Sequence, residues 1–193
     1  MANKTIGVLA LQGAFQEHEQ MLTRLGADYR EIRQAADFTA DIAGLILPGG
    51  ESTTQRKLMH STGLLAPLQQ RIREDMPVMG TCAGLILLAQ ELSNDEETGL
   101  STLPVRVKRN AYGRQLGSFA ADMPLAGIGK FPMRFIRAPY IEKILQPDVE
   151  VLATYQGQIT AVRYRKQLAM SFHPELTQDL RVHRLFLQMA PSA

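Results

Sequence analysis

The chain has 193 residues, 45% of them hydrophobic, with 21 basic and 19 acidic residues and a formal charge of +2. That length predicts one domain over residues 1–193 with a sizeable core, and is too short for two ordinary domains. The interspersed, nearly balanced charges exclude a polybasic tract for nucleic acid or an anionic membrane, and the single cysteine excludes an internal disulfide, which fits a reducing, cytoplasmic compartment.

Taken in chain order, residues 5–11 read as a strand, an apolar run far shorter than the ~20 residues of a membrane span. A helix is predicted over 15–25 and a second strand over 44–47. That strand runs into Pro48-Gly49-Gly50-Glu51-Ser52-Thr53-Thr54, which opens a helix over 53–61. Adjacent glycines let backbone N–H groups approach a ligand closely, so Gly50 is a source for an oxyanion donor. The same residues also read as an ordinary turn with Ser52 or Thr53 as helix N-cap. A further helix is predicted over 64–74.

Pro77-Val78-Met79 reads as the end of a buried strand, and residues 83–91 as a helix, so Cys82 falls at the turn between them. The segment Gly80-Thr81-Cys82-Ala83-Gly84 is the thiol counterpart of the G-x-S-x-G elbow, which holds a nucleophile on a tight turn above a sheet. A helix N-terminus favours a thiolate, and the N–H of Ala83 is placed to stabilise an oxyanion. The plainer reading of Cys82 is a small buried hydrophobe.

Residues 94–97 are polar and read as a surface loop. Beyond them, 105–108, 118–121, 133–136, 149–155, 159–164 and 168–172 are strand-like, with Gly or Pro between several, which predicts antiparallel additions to the sheet. The last of these leads into His173-Pro174-Glu175-Leu176 and a helix-like stretch to about residue 189. A thiol nucleophile needs an imidazole to take and return its proton, and the imidazole needs an acceptor to fix its tautomer. His173 and Glu175 are of the required types, although a Glu in the first turn after a strand also needs no function at all.

Short apolar runs alternating with amphipathic segments imply an α/β fold of three layers. It is an open, mostly parallel sheet with helices on both faces and antiparallel additions, its ligands gathered at the strand C-terminal ends. His18, His60 and His183 fall on predicted helices with no metal-ligand pattern and are assigned to surface or groove positions. Met76, Met79, Met170 and Met189 are assigned to the core. No metal or nucleotide motif is present, and no cofactor is expected.

The elbow, the Gly49-Gly50 loop and the His-Pro-Glu segment together resemble the class I, or triad, glutamine amidotransferase family, which has a flavodoxin-like fold. Ile6-Gly7-Val8-Leu9-Ala10-Leu11-Gln12-Gly13, Arg109-Asn110-Ala111-Tyr112-Gly113-Arg114-Gln115 and Phe135-Ile136-Arg137-Ala138-Pro139 narrow this to the glutaminase subunits of pyridoxal phosphate synthase, a likeness along nearly the whole chain.

The resemblance implies a triad of Cys82, His173 and Glu175 that hydrolyses L-glutamine, with Ala83 and Gly50 as backbone oxyanion donors. It further implies that Gly50, Glu51, Ser52, Arg109, Ile136 and Arg137 bind glutamine, the arginines taking its carboxylate and Glu51 its ammonium. Gln12 is assigned to shaping the oxyanion loop. The implied partner is the synthase, a (β/α)8 barrel in a large hetero-oligomer, which receives the ammonia and makes the glutaminase active by docking. A related amidotransferase, a γ-glutamyl hydrolase or a non-catalytic binding module remain as alternatives at this point.

Overall fold

The computed structural model describes residues 5–93, 97–109 and 117–190. Of the predicted loop at 94–97 only Glu97 lies among these residues, and of the motif at 109–115 only Arg109.

The first part of the chain alternates as the pattern predicts. It contains β1 (Thr5–Leu9), α1 (Phe15–Arg24), β2 (Asp28–Ile32), β3 (Ile42–Leu47), α2 (Ser52–Ser61), α3 (Leu65–Arg73), β4 (Val78–Thr81) and α4 (Ala83–Leu88). The remainder contains β5 (Ala89–Leu92), β6 (Leu103–Lys108), β7 (Ser118–Leu125), β8 (Gly129–Ile136), β9 (Tyr140–Ile144), β10 (Glu150–Tyr155), β11 (Gln158–Tyr164) and β12 (Gln167–Met170). A 3-10 turn, Pro174–Leu176, and α5 (Arg181–Met189) follow.

Ten strands form one sheet in the order β2-β1-β3-β4-β12-β11-β9-β6-β5, with β10 paired to β11. Strands β2, β1, β3, β4 and β12 run parallel to one another. Strand β11 pairs antiparallel with β12, β10 and β9, and β9 with β6. The expected parallel sheet with antiparallel additions is therefore present.

Its centre is apolar on both faces, which is why β3 reads Ile-Ala-Gly-Leu-Ile-Leu without alternation. Along β3, Leu45 and Leu47 enter one core with Met59 of α2, Leu68 of α3 and Leu85 of α4. Ile46, between them, points to the other, with Leu22 of α1 and Val182 and Phe186 of α5. Burying each such side chain contributes about 1.5–3 kcal/mol, so both helical layers are held to the sheet mainly by this packing.

The structure departs from the pattern in three ways. The helix expected over 83–91 stops at Leu88, because Ala89–Leu92 pairs in parallel with β6 and Arg106 binds Glu91 at 2.6 Å. Strands β2 and β9 form where no strand is legible, each completed by neighbours distant in sequence. Strands β7 and β8 pair with each other as a separate ribbon rather than joining the sheet. Pro124 and Pro132, one in each strand, lack the N–H that further pairing would use. Within the ribbon Phe119 stacks on Phe135 at 4.6 Å, and the ribbon packs on the rest through Phe119 against Tyr155 of β10 and through Phe131 and Phe135 against Phe172. No described helix is long and apolar enough to cross a membrane.

Candidate active site

The parallel register collects the three motifs at one edge. Leu47 lies opposite Gly80, and Thr81 opposite Met170, so β3, β4 and β12 end side by side. The loops that leave them carry Gly49-Gly50, Cys82 and His173. The Cys82 N–H donates to Met170 O at 2.8 Å, and the His173 N–H donates to Arg134 O of β8 at 2.8 Å, so the ribbon also braces the site.

Cys82 adopts φ 49° and ψ −99°, a conformation that L-residues rarely occupy and that costs on the order of 1–3 kcal/mol. The surroundings enforce it. A β-carbon at Gly84 would stand 2.2 Å from Leu47 O, so only glycine lets α4 start this close to β3. The thiol is 7% exposed, and its Sγ lies 3.8 Å from Ile136 O.

His173 Nδ1 stands 2.7 Å from Glu175 Oε1, and both residues are buried. Burial works against a charged imidazole here. Interaction with the Cys82 side chain and the Glu175 carboxylate outweighs burial and raises the His173 pKa from 6.5 to about 10. The Glu175 carboxylate thus fixes the orientation of the His173 ring.

Behind Glu175 the sequence assignment of two histidines is corrected. His18 and His183 are fully buried rather than at the surface, because the inner faces of α1 and α5 carry them toward the sheet, while His60 is exposed as expected. His18 Nε2 lies 3.2 Å from Thr81 Oγ1 and 3.5 Å from Glu175 Oε2, and its Nδ1 lies 2.9 Å from His183 Nε2.

A cavity of about 540 Å³ opens in front of Cys82 and His173, lined also by Gly49, Gly50, Glu51 and Ser52, and by Arg109, Ile136 and Arg137. Every residue assigned to glutamine by resemblance reaches this cavity, while Ala83 and Glu175 lie behind it.

The Gly49-Gly50 loop is tied down on several sides. Ala14 N–H donates to Gly49 O, Glu51 N–H donates to Gln12 Oε1 at 2.8 Å, and the buried Gln55 amide donates to Gln12 O and Pro48 O. Gln55 carries no signal in sequence, since a glutamine on a helix reads as a surface residue.

Glu51 serves as the N-cap of α2. Burial raises its pKa, but hydrogen bonds from Thr54 and Thr53 prevail and bring it from 4.5 to about 2. Its Oε1 also pairs with Arg109 at 3.1 Å. Arg137 adopts φ 40°, and among the described residues no carboxylate pairs with its guanidinium. The cavity thus offers cationic and anionic groups together beside a thiol and an imidazole.

A profile of the SNO glutamine amidotransferase family matches residues 8–192. The chain belongs to the SNO glutamine amidotransferase family. Among curated members it is 56% identical over 182 residues to pyridoxal 5'-phosphate synthase subunit PdxT of Desulfitobacterium hafniense (strain DSM 10664 / DCB-2), covering 94% of this chain and 91% of that one. It is 50% identical over 187 residues to the PdxT subunit of Streptococcus pneumoniae (strain CGSP14), covering 95% and 96%. A crystal structure of a glutamine amidotransferase superposes with a TM-score of 0.90 at 45% identity, covering 95% of this chain and 97% of that one. The family resemblance and the fold class expected from sequence are both borne out. Within the SNO glutamine amidotransferase fold, the elbow and the His-Pro-Glu turn occupy one edge of the sheet.

Proposed function

We propose that this chain is the glutaminase subunit of a pyridoxal 5'-phosphate synthase, hydrolysing L-glutamine with a Cys82-His173-Glu175 triad and passing the ammonia to a synthase subunit. The observation that carries the triad is the buried 2.7 Å contact between His173 Nδ1 and Glu175 Oε1, with the same imidazole lining one cavity with Cys82. The relatives at 50–56% identity, PdxT subunits of pyridoxal 5'-phosphate synthase, support the pathway.

In this reading the Cys82 thiolate attacks the side-chain carbonyl carbon of glutamine, and the N–H groups of Ala83 and Gly50 receive the oxyanion. His173 delivers its proton to the amide nitrogen, the C–N bond breaks and ammonia leaves. A water then gives a proton to His173 and its oxygen attacks the thioester, releasing glutamate and restoring the thiolate. Glutamine and water are thereby converted to glutamate and ammonia.

Arg109 and Arg137 receive the α-carboxylate of the substrate, where a guanidinium fork binds both oxygens. Glu51 receives the ammonium with its outward edge while its capping bonds hold it in place. Gly50, Ser52 and Ile136 complete the walls. The partner is the barrel-shaped synthase subunit, and the whole chain acts as one domain in the cytoplasm. The contacts of Gln12, Ala14 and Gln55 to the Gly49-Gly50 loop are those that docking would exchange to complete the oxyanion site.

The test is glutamate release from glutamine with and without the synthase subunit, beside Cys82→Ser. Activity that needs both the synthase and Cys82 supports the reading. Activity that needs Cys82 but ignores the synthase discards the pathway, and turnover by Cys82→Ser discards the triad.

A further inference from the structure

Glu175 makes a hydrogen bond through only one of its two oxygens among the described residues. Oε1 faces His173, while Oε2 is buried and makes no hydrogen bond among the described residues. An unsatisfied buried carboxylate oxygen is costly, and the ring atom that faces it is His18 Nε2, at 3.5 Å. His18 in turn touches Thr81 through Nε2 and His183 through Nδ1, and all three side chains are fully buried.

The protonation of His18 can be worked out from these contacts. Burial first, then His183 and His173, hold its pKa well below 6.5, so the ring is neutral and carries one N–H. Were that proton on Nδ1, the Nε2 lone pair would face the Glu175 carboxylate in a low-dielectric interior. His183, accepting at Nε2, would then bury an N–H at Nδ1, which has no partner among the described residues. With the proton on Nε2, it is shared between Glu175 Oε2 and Thr81 Oγ1, and Nδ1 accepts from His183 Nε2–H. Only the acceptor lone pair of His183 Nδ1 is then unmet. The second arrangement satisfies the charged group and leaves no N–H orphaned.

We infer that His18 is a positioning residue for the glutaminase reaction: its Nε2–H anchors Glu175 Oε2, with His183 fixing its tautomer, so that Oε1 stays aimed at His173 Nδ1. The inference rests on the triad reading proposed above. A carboxylate held at both oxygens keeps its plane, whereas one held only by His173 turns about its side-chain bonds and carries the imidazole with it. The hydrogen-bond partners that orient metal-ligating side chains from behind typically affect activity by about 10- to 100-fold, and an effect of that order is expected here.

The test compares His18→Gln, His18→Asn and His18→Leu, each assayed with the synthase subunit for kcat and KM separately. Active sites are counted by labelling with a glutamine-analogue electrophile, so that loss of folded protein does not count as loss of rate. A glutamine amide reaches the position of Nε2, and an asparagine amide reaches only that of Nδ1. His18→Asn and His18→Leu are expected to lower kcat per labelled site by about 10- to 100-fold with KM within about two-fold, and His18→Gln to stay within about five-fold of wild type. If His18→Leu does not fold, the pair of amide variants carries the comparison. Equal kcat in Gln and Asn variants, or wild-type kcat in His18→Leu, overturns the inference while leaving the triad standing. An inactive wild type would instead overturn the glutaminase reading itself.

Discussion

The backbone of Gly49 lies directly against the His173 imidazole: a β-carbon built on Gly49 would stand 2.2 Å from Cε1 and 2.8 Å from Nδ1 of that ring. The loop after β3 and the turn after β12 are therefore fitted to each other with no room for a methyl group. Gly49→Ala should displace the imidazole by about 1 Å and lower kcat on the order of 10²-fold, while the folded core is retained. Steady-state kinetics with the synthase, beside a thermal melt, reads both quantities, and an alanine variant of wild-type kcat would contradict the fit.

Glu175→Gln removes the charge that favours the His173 imidazolium and lets the amide present either an oxygen or an NH2 to Nδ1. The His173 pKa should fall from about 10 toward or below 6.5, because burial then acts with less opposition. Activity should fall by about 10²- to 10⁴-fold, as expected when the imidazole loses the partner that sets its tautomer. An NMR titration of the His173 ring protons measures the shift directly.

Stability should fall as the solution is acidified from pH 6.5 toward 4. Burial lowers the His183 pKa from 6.5 to about 4, and His18 shifts in the same direction. Below pH 6.5 the unfolded chain takes up protons that the folded chain refuses, so the unfolded state gains. For His183 alone the loss reaches about 3 kcal/mol. The raised pKa of His173 acts with opposite sign: its contribution is complete below pH 6.5 and is lost as the pH rises through about 10. Urea midpoints between pH 4 and 8 test this, and His183→Gln should flatten the acid slope.

Gly84→Ala should unfold the elbow rather than merely weaken it. The added carbon would stand 2.2 Å from Leu47 O, a backbone atom of the central sheet that cannot move alone. A destabilisation of about 2–3 kcal/mol is expected, with loss of Cys82 labelling. Chemical denaturation of the variant supplies the number.

Arg137→Ala should raise KM for glutamine by about 10- to 100-fold and leave kcat little changed, since the guanidinium is assigned to the substrate carboxylate and not to the reacting amide. A fall in kcat at constant KM would move Arg137 from binding to the chemistry.

Much of the site was readable because its demands are local. The elbow needs glycine at positions 80 and 84 whatever surrounds it, and the His-Pro-Glu turn brings an imidazole and a carboxylate two residues apart into 2.7 Å contact. His18 and Gln55 left no such mark. Each sits on an amphipathic helix where a polar residue reads as solvent-facing, and only the packing of α1 and α2 against the loops turns them inward. Strands β2 and β9 were equally hidden, their half-exposed sequences, Asp-Tyr-Arg-Glu-Ile and Tyr-Ile-Glu-Lys-Ile, being strands only by virtue of their neighbours.

From sequence alone came the alternation of strand and helix, the family resemblance and the candidate residues of the proposed triad, because hydrophobic period and turn chemistry act over a few residues. The tertiary structure decided what depends on atoms distant along the chain. The parallel register of β3, β4 and β12 sets three loops side by side, the β7-β8 ribbon braces His173 through Arg134, and two helices bury a pair of histidines behind Glu175. Those relations follow from burial and hydrogen-bond satisfaction in the assembled core, which no short window of sequence contains.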